Sequence, residues 1–323
     1  MPPDRRGLFE ALIGDGRPLI SLCGVCLGLA GGFVVFQSLT GHFLPHDVAY
    51  LRMQPEDLCG INECRIVHFM IHDRISFGGG LTAIAVLYLW LAEFPLKNGE
   101  AWSWWTLLLG GVSGFGSFLT YLGYGYFDSW HGAATLALLP CYVGGLWLTR
   151  PRATPTGAWL VRLRPAGEIG FRTSAGVGRG LLAAAACGMI GGGATIQSIG
   201  MTAVFVPTDL AFMGLDRERL DAINPRLIPL IAHDRAGFGG TVLTAGILTL
   251  ASGWFGRASP ALWQTLCIGG FAGWSAAVLV HPAIGYTDPL HLAPAATGAA
   301  LFAAGLLLVR PAMHASECGA AMP

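Results

Sequence analysis

Eight stretches of about twenty mostly apolar residues, separated by polar segments, decide what this chain can become. A helix needs about 20 apolar residues to cross a hydrocarbon core about 30 Å thick. Runs of suitable length and polarity lie near 18–45, 75–95, 104–125 and 132–149, and again near 179–206, 236–254, 261–282 and 292–310. Charged residues make up 12% of the chain, against about 25% in an average soluble domain. That is too few to coat a soluble surface, so the main partner is the lipid bilayer. The expected fold class is an all-α integral membrane protein with eight transmembrane helices. Formal net charge is zero and no basic cluster is interleaved with aromatics, which argues against nucleic acid as a partner. The first apolar run is too long for a signal-peptide core and lacks a clear small-residue cleavage site, so it reads as a retained span. Arg5-Arg6 is only a weak twin-arginine look-alike.

Three patterns recur in the same order in both halves. Phe43-Leu-Pro45-His-Asp47-Val-Ala49-Tyr50 matches Phe205-Val-Pro207-Thr-Asp209-Leu-Ala211-Phe212. His72-Asp73-Arg74-Ile-Ser-Phe77-Gly78-Gly79 matches His233-Asp234-Arg235-Ala-Gly-Phe238-Gly239-Gly240, and Gly125-Tyr126-Phe-Asp128-Ser-Trp-His131 matches Gly285-Tyr286-Thr-Asp288-Pro-Leu-His291. The offsets are 162, 161 and 160 residues. The six positions shared in the middle pattern would coincide by chance about once in 10⁷, at roughly one in fifteen per position. Fainter matches pair Gln37-Ser38 with Gln197-Ser198, and Arg65 with Arg226. The chain therefore reads as two four-helix units, 1–149 and 179–323, joined by a basic connector at 150–178. Four spans per unit is an even number, so the units are expected to be parallel, related by an axis along the membrane normal.

Basic residues beside the spans set the orientation. Twelve of the 19 Lys and Arg fall on one side, among them Arg150, Arg152, Arg162, Arg164 and Arg172 of the connector. That side is expected to be cytoplasmic and to hold both termini, with the chain in the plasma (inner) membrane. All the matching patterns then gather at the extracytoplasmic face. Small residues at four-residue spacing, such as Gly24/Gly28/Gly32 and Gly188/Gly192, read as close helix packing. Of the eight cysteines, Cys59 and Cys64 share a loop where they could pair, while Cys23, Cys26, Cys141, Cys187 and Cys267 lie in apolar spans.

The recurring polar groups are of metal-ligand type. His68 and His72, four apart, share a helix face as two ligands of one metal would. Asp73, Asp128 and His131 complete a mixed nitrogen and oxygen set in the first unit, and His233, Asp234, Asp288 and His291 recur in the second. Pro229 replaces His68, and an additional His281 stands near the third span of the second unit. Metal is then expected to bind unequally in the two units, or at a composite site across the axis. A transition metal or haem is the cofactor these residues suit. Arg74 and Arg235 would bind an anionic group or clamp helices through the neighbouring aspartates. Gln37 and Gln197 would line a pocket or join helices, and Tyr126 and Tyr286 would contact substrate or form an interfacial belt. Asp47 and Asp209 read as helix caps. Segments 55–70 and 216–231 read as amphipathic approaches forming a lid, the second broken by Pro225 and Pro229.

The best reading is a metal- or haem-binding membrane enzyme acting on a lipid, quinone or other apolar small molecule. The alternatives are a transporter or channel for a cation or small solute, and a scaffold that docks another membrane subunit. The scarcity of ionisable residues near the bilayer midplane disfavours transport. No phosphate-binding loop, Gly-x-Ser-x-Gly elbow or His-Glu-x-x-His motif is present.

Overall fold

The computed structural model describes residues 7–119, 123, 125–150, 164–167 and 169–318. Among these every regular element is a helix. The first half contains α1 (Leu8–Ile13), α2 (Arg17–Leu39), α3 (Pro45–Leu51), α4 (Pro55–Asn62), α5 (Arg65–Glu93), α6 (Ala101–Leu119) and α7 (Ser129–Thr149). The second contains α8 (Ser174–Met201), α9 (Pro207–Met213), α10 (Arg217–Ile223), α11 (Leu227–Phe255), α12 (Pro260–Ile284) and α13 (Pro289–Cys318). About half of the connector (151–163 and 168) and both chain ends (1–6 and 319–323) lie outside the described residues.

Seven helices are long and apolar enough to cross a membrane: α2, α5, α7, α8, α11, α12 and α13. The chain is thus a helical, multi-pass membrane protein in its architecture. The remaining expected span, 104–125, corresponds to α6, which is not among the seven. Its serines, Thr106, tryptophans and glycines lower its hydropathy, and residues 120–122 and 124 of that expected span are not among those described.

The second long helix of each half starts earlier than its apolar run suggests. α5 begins at Arg65, after a break at Glu63 and Cys64 where φ is 56° and 63°. Ile66, Val67, Phe69 and Met70 are buried and carry the helix upstream, so His72-Asp73-Arg74 lies two turns inside α5. In the second half the break falls at Asn224-Pro225 alone. Pro229 sits in the first turn of α11, where a missing N–H costs no helical bond.

α5 and α11 form the centre. Of their apolar windows 72% and 56% is buried, against 17–28% for the other five candidate spans. Within each half α2 packs on α5 and α8 on α11, while the third long helices cross over: α12 packs on α5 and α6 on α11. Glycines make both crossings close. A Cβ on Gly79 would stand 2.4 Å from Ala276 Cβ and 2.8 Å from the Ala272 carbonyl, and one on Gly240 would stand 2.3 Å from Ser117 Cβ. Other contacts recur likewise. Trp104 Nε1 donates to the Leu146 carbonyl (2.9 Å) and Trp263 Nε1 to that of Leu306 (3.1 Å).

The short helices cap one end of the bundle around a separate apolar cluster that includes Leu51, Leu58, Phe69, Met213, Leu220 and Leu227. Asn62 Nδ2 donates to the Met213 carbonyl (3.0 Å), Asn224 Nδ2 to that of Leu51 (2.8 Å), and Arg226 to that of Tyr50 (2.6 Å). The caps of the two halves therefore interlock. Cys59 and Cys64 are disulfide-bonded across the α4–α5 break.

The packing also corrects one faint match. Gly31 and Val35 meet Gly78 as Gly193 and Gln197 meet Gly239. In packing, Gln197 is therefore the counterpart of Val35, and Gln37-Ser38 stands two residues out of register with Gln197-Ser198.

Candidate metal centres

Two groups of ligand-type side chains form beneath the cap, and each draws on both halves. The first is His72 on α5, His281 on α12 and His291 on α13; the second is His233 on α11 with Asp128 and His131 at the start of α7. Within each group one donor atom per residue lies within 4.8 Å of the others. The crossing of third helices produces this mixing, because it brings the end of the opposite half beside each central histidine.

In the first group His72 Nε2 and His281 Nε2 are 3.2 Å apart. Two nitrogens bound at 2.0–2.1 Å on one tetrahedral ion stand about 3.3 Å apart, so the spacing suits a shared ion. His72 Nδ1 faces Asp73 Oδ1 at 2.9 Å, which fixes the tautomer that leaves Nε2 as a donor to metal. The other oxygen of Asp73 takes Arg235 Nε at 3.3 Å, and Arg235 Nη1 also bonds Asp209. Tyr286 Oη donates to Asp209 Oδ1 (2.9 Å) and lies 2.9 Å from His291 Nδ1. The chain of contacts returns to the cluster, so His72 and His291 are held at both ends of one polar ring.

The second group is built alike. His233 Nδ1 meets Asp234 Oδ1 at 3.2 Å, Asp234 Oδ2 takes Arg74 Nε at 2.7 Å, and Arg74 Nη1 reaches Asp47 Oδ2 at 2.9 Å. Tyr126 donates to Asp47. Asp128 caps α7 through the backbone N–H groups of Trp130 and His131, both at 2.9 Å, and pairs with His46 at 3.1 Å. Burial pushes the Asp128 carboxyl up, but the His46 and backbone hydrogen bonds and the nearby His233 outweigh it and hold it below the ordinary carboxylate range. His46 is raised: burial opposes its charge, and the hydrogen bond and charge of Asp128 more than offset that.

The expected residues therefore separate by role. His72, Asp128, His131, His233 and His291 enter the two groups. Asp73 and Asp234 stand behind the histidines and orient them. Asp288 caps α13 by accepting from His291 N (2.8 Å) and belongs to neither group, nor does His68, half-buried and one turn nearer the start of α5 than His72. Arg74 and Arg235 are buried between aspartates of opposite halves. Tyr126 and Tyr286 are 3% and 1% exposed, which is core and not an interfacial belt. Asp209 does cap α9, accepting from Val206 N at 2.8 Å, but like Asp47 it also serves an arginine. Gln37 borders the cavity beside the second group, and Gln197 packs against Gly239 of α11. His46 and His281 were missed as site residues. The sequence places His281 five residues before Tyr286, and only the crossing of α12 onto α5 brings it to His72.

Each group heads a cavity walled mainly by apolar side chains. The three-histidine group opens on about 870 Å³ between α5, α8, α11, α12 and α13, and the Asp128 group on about 310 Å³ between α2, α5, α6, α7 and α11. Both volumes fall within the range of small-molecule sites. Comparison with protein-family models, with curated proteins and with solved structures gives no match, so the reading of this site rests on its own geometry.

Proposed function

We propose that the chain is a membrane metalloprotein of two parallel four-helix repeats, with eight spans, that binds a transition metal at each composite group and acts on an apolar small molecule. In this reading the cap faces the extracytoplasmic side, both termini are cytoplasmic and the membrane is the plasma (inner) membrane, as the basic residues suggest. The equivalence of packing contacts between halves supports the repeat, with α6 as the eighth span.

The observation that carries the metal reading is the pair of histidine nitrogens 3.2 Å apart, each group being backed by a carboxylate and an arginine. Charge points the same way. Among the described residues Asp47, Asp73, Asp209 and Asp234 are paired with two guanidiniums, those of Arg74 and Arg235, a formal net of −2 beneath the cap. Buried charge of that size calls for compensation, and cations at the histidines supply it. A three-nitrogen set with room for a fourth ligand has the donor pattern of catalytic sites rather than of closed structural ones. When bound, the metal would supply Lewis-acid or redox chemistry. His72, His281 and His291 would hold it, Asp73 and Tyr286 would keep the imidazoles in their donor tautomers, and the apolar walls would exclude water.

The test is elemental analysis with a visible spectrum on protein purified in mild detergent. A stoichiometric metal or haem band supports the reading. A folded, active-conformation protein that takes up neither after incubation with first-row metals or haem would sink it, and transport assays and partner capture would follow.

A further inference from the structure

The two cavities are matched in position but not in width, and the difference lies in paired side chains. Leu27, Ala30, Phe33 and Val34 of α2 line the narrow cavity where Met189, Gly192, Thr195 and Ile196 of α8 line the wide one. Across the other walls Tyr88 answers to Thr249, Phe118 to Ala277, Trp130 to Leu290 and Leu138 to Gly298. Apart from Val34 to Ile196, which adds a methylene, and Leu27 to Met189, which is nearly equal in volume, each of these changes removes bulk from the three-histidine side. On the narrow side Phe33 and Trp130 stack across the gap between α2 and α7, with ring centroids 6.3 Å apart. The wide side has only Thr195 and Leu290 there.

The packing of α8 against α13 loosens towards the cap, beside the wide cavity. α8 and α13 are pinned at one end, where a Cβ on Gly178 would meet the Gly305 carbonyl at 2.8 Å. Towards the cap Gly188, Gly191 and Gly192 face open space, and Leu290 is 83% exposed. The walls beyond are mainly Ala, Gly, Leu and Phe, with Met189, Trp274 and the hydroxyls of Thr249 and Thr265, and the titratable groups gather at the histidine end. The one cation there, Arg235, is already engaged by Asp73, Asp209 and the Val204 carbonyl. No unpaired positive side chain among the described residues lines this cavity to meet a carboxylate or phosphate, and the charge of a metal bound at the histidines would be offset by Asp73 and Asp209 behind them. Phe238, His72 and His281 put aromatic rings around that end, His72 standing edge-on to the other two, so a ring-bearing head would meet both a ring face and ring edges there.

We propose that the wide cavity binds a single-tailed amphiphile with an uncharged, oxygen-bearing ring, of the quinone and quinol class. It enters between α8 and α13 with its head at the three histidines, and side-chain bulk closes the narrow cavity to it. This deepens the proposed function and rests on the three-histidine group being the working end of the molecule.

The experiment titrates a decyl-tailed benzoquinone into the full chain in lipid nanodiscs. Saturable binding is read by equilibrium dialysis and by quenching that is lost in Trp274→Phe. The expected result is one equivalent per chain. Thr195→Phe and Gly192→Leu, both at positions with open space or an exposed side chain, weaken binding at least tenfold with helicity and metal content unchanged. Phe33→Ala, on the narrow side, leaves the affinity of that equivalent as it was. Equal binding by Thr195→Phe and wild type, equal weakening by Phe33→Ala, or uptake of a decyl-tailed carboxylate in preference to the quinone would each overturn the proposal. Metal analysis on the same samples separates the two ideas. Quinone bound without metal removes the metal reading alone, and metal bound without quinone removes this one alone.

Discussion

Asp73 is the residue whose replacement most sharply separates an oriented metal ligand from a merely buried histidine. It is fully buried and uses one oxygen for His72 Nδ1 (2.9 Å) and the other for Arg235 Nε (3.3 Å). Asp73→Asn keeps an acceptor of the same shape but removes the charge and turns an amide N–H₂ towards one of the two. His72 then loses the partner that fixes its tautomer, while His281 and His291 keep their places. Loss of such an outer partner lowers metal affinity by about 10–100-fold, which is about 1.4–2.8 kcal/mol at 1.4 kcal/mol per tenfold. The change also leaves Arg235 with Asp209 as its one carboxylate partner. Breaking a buried ion pair costs about 3–5 kcal/mol, so a lower melting temperature accompanies the weaker binding. The assay is competition for metal against a chelator of known affinity, in detergent, at a temperature where circular dichroism shows native helix. The variant is expected to weaken one equivalent of metal and to spare the other, which Asp234 serves. Unchanged affinity at both equivalents in a folded Asp73→Asn protein would refute the orienting role. Equal loss at both would show that the effect passes through the fold.

Other residues give independent checks. Tyr286→Phe removes the hydroxyl that donates to Asp209 and accepts from His291 Nδ1, and is expected to cost about 1 kcal/mol of stability and to weaken the three-histidine site several-fold, as chelator competition would show. Gly79→Val puts a side chain against the Ala272 carbonyl and Ala276, where a Cβ already stands within 2.8 Å of both. It should destabilise the α5–α12 crossing by about 1–3 kcal/mol or more, seen as a lower melting temperature and loss of the three-histidine site. Asp209 sets an acid limit. Burial pushes its carboxyl up, but the Arg235 charge and hydrogen bond, the Val206 N–H and Tyr286 outweigh that and hold it below the ordinary carboxylate value. The stability it contributes is then fully present above the unfolded carboxylate pKa, about 4, and is lost as pH falls through the lower folded value. Thermal melts from pH 6 to 3 should show that loss, and Asp209→Asn should flatten it.

Helical class, the long helices and the chemistry at one end were legible because lipid-spanning helices announce themselves by length and apolarity, and because the same Asp, His and Arg patterns occur twice. Three things were not. The early start of α5 was hidden because 55–70 reads as an amphipathic approach separate from the span, although Ile66, Phe69 and Met70 bury a helical face continuous with it. The ligand role of His281 depends on α12 packing against the other half. Sequence order shows which helices are neighbours along the chain, and it carries no sign of that exchange. Asp288 and Asp128 occupy the same place in matching patterns, yet only Asp128 joins a group. His281 takes the corresponding place on the other side. The unequal cavities, by contrast, are written in plain side-chain sizes once packing has fixed the register of α2 against α8.

The central claim is that each centre is made by both halves, and metal stoichiometry in single and double variants tests it most directly. Wild-type protein loaded with a first-row metal and freed of excess is expected to hold two equivalents. His72→Ala, His291→Ala and the double variant should each retain one, since both residues serve the same centre. His72→Ala combined with His131→Ala should retain none. If His72→Ala and His131→Ala instead remove the same equivalent, or if folded wild type binds no metal, the crossed architecture of the centres is wrong.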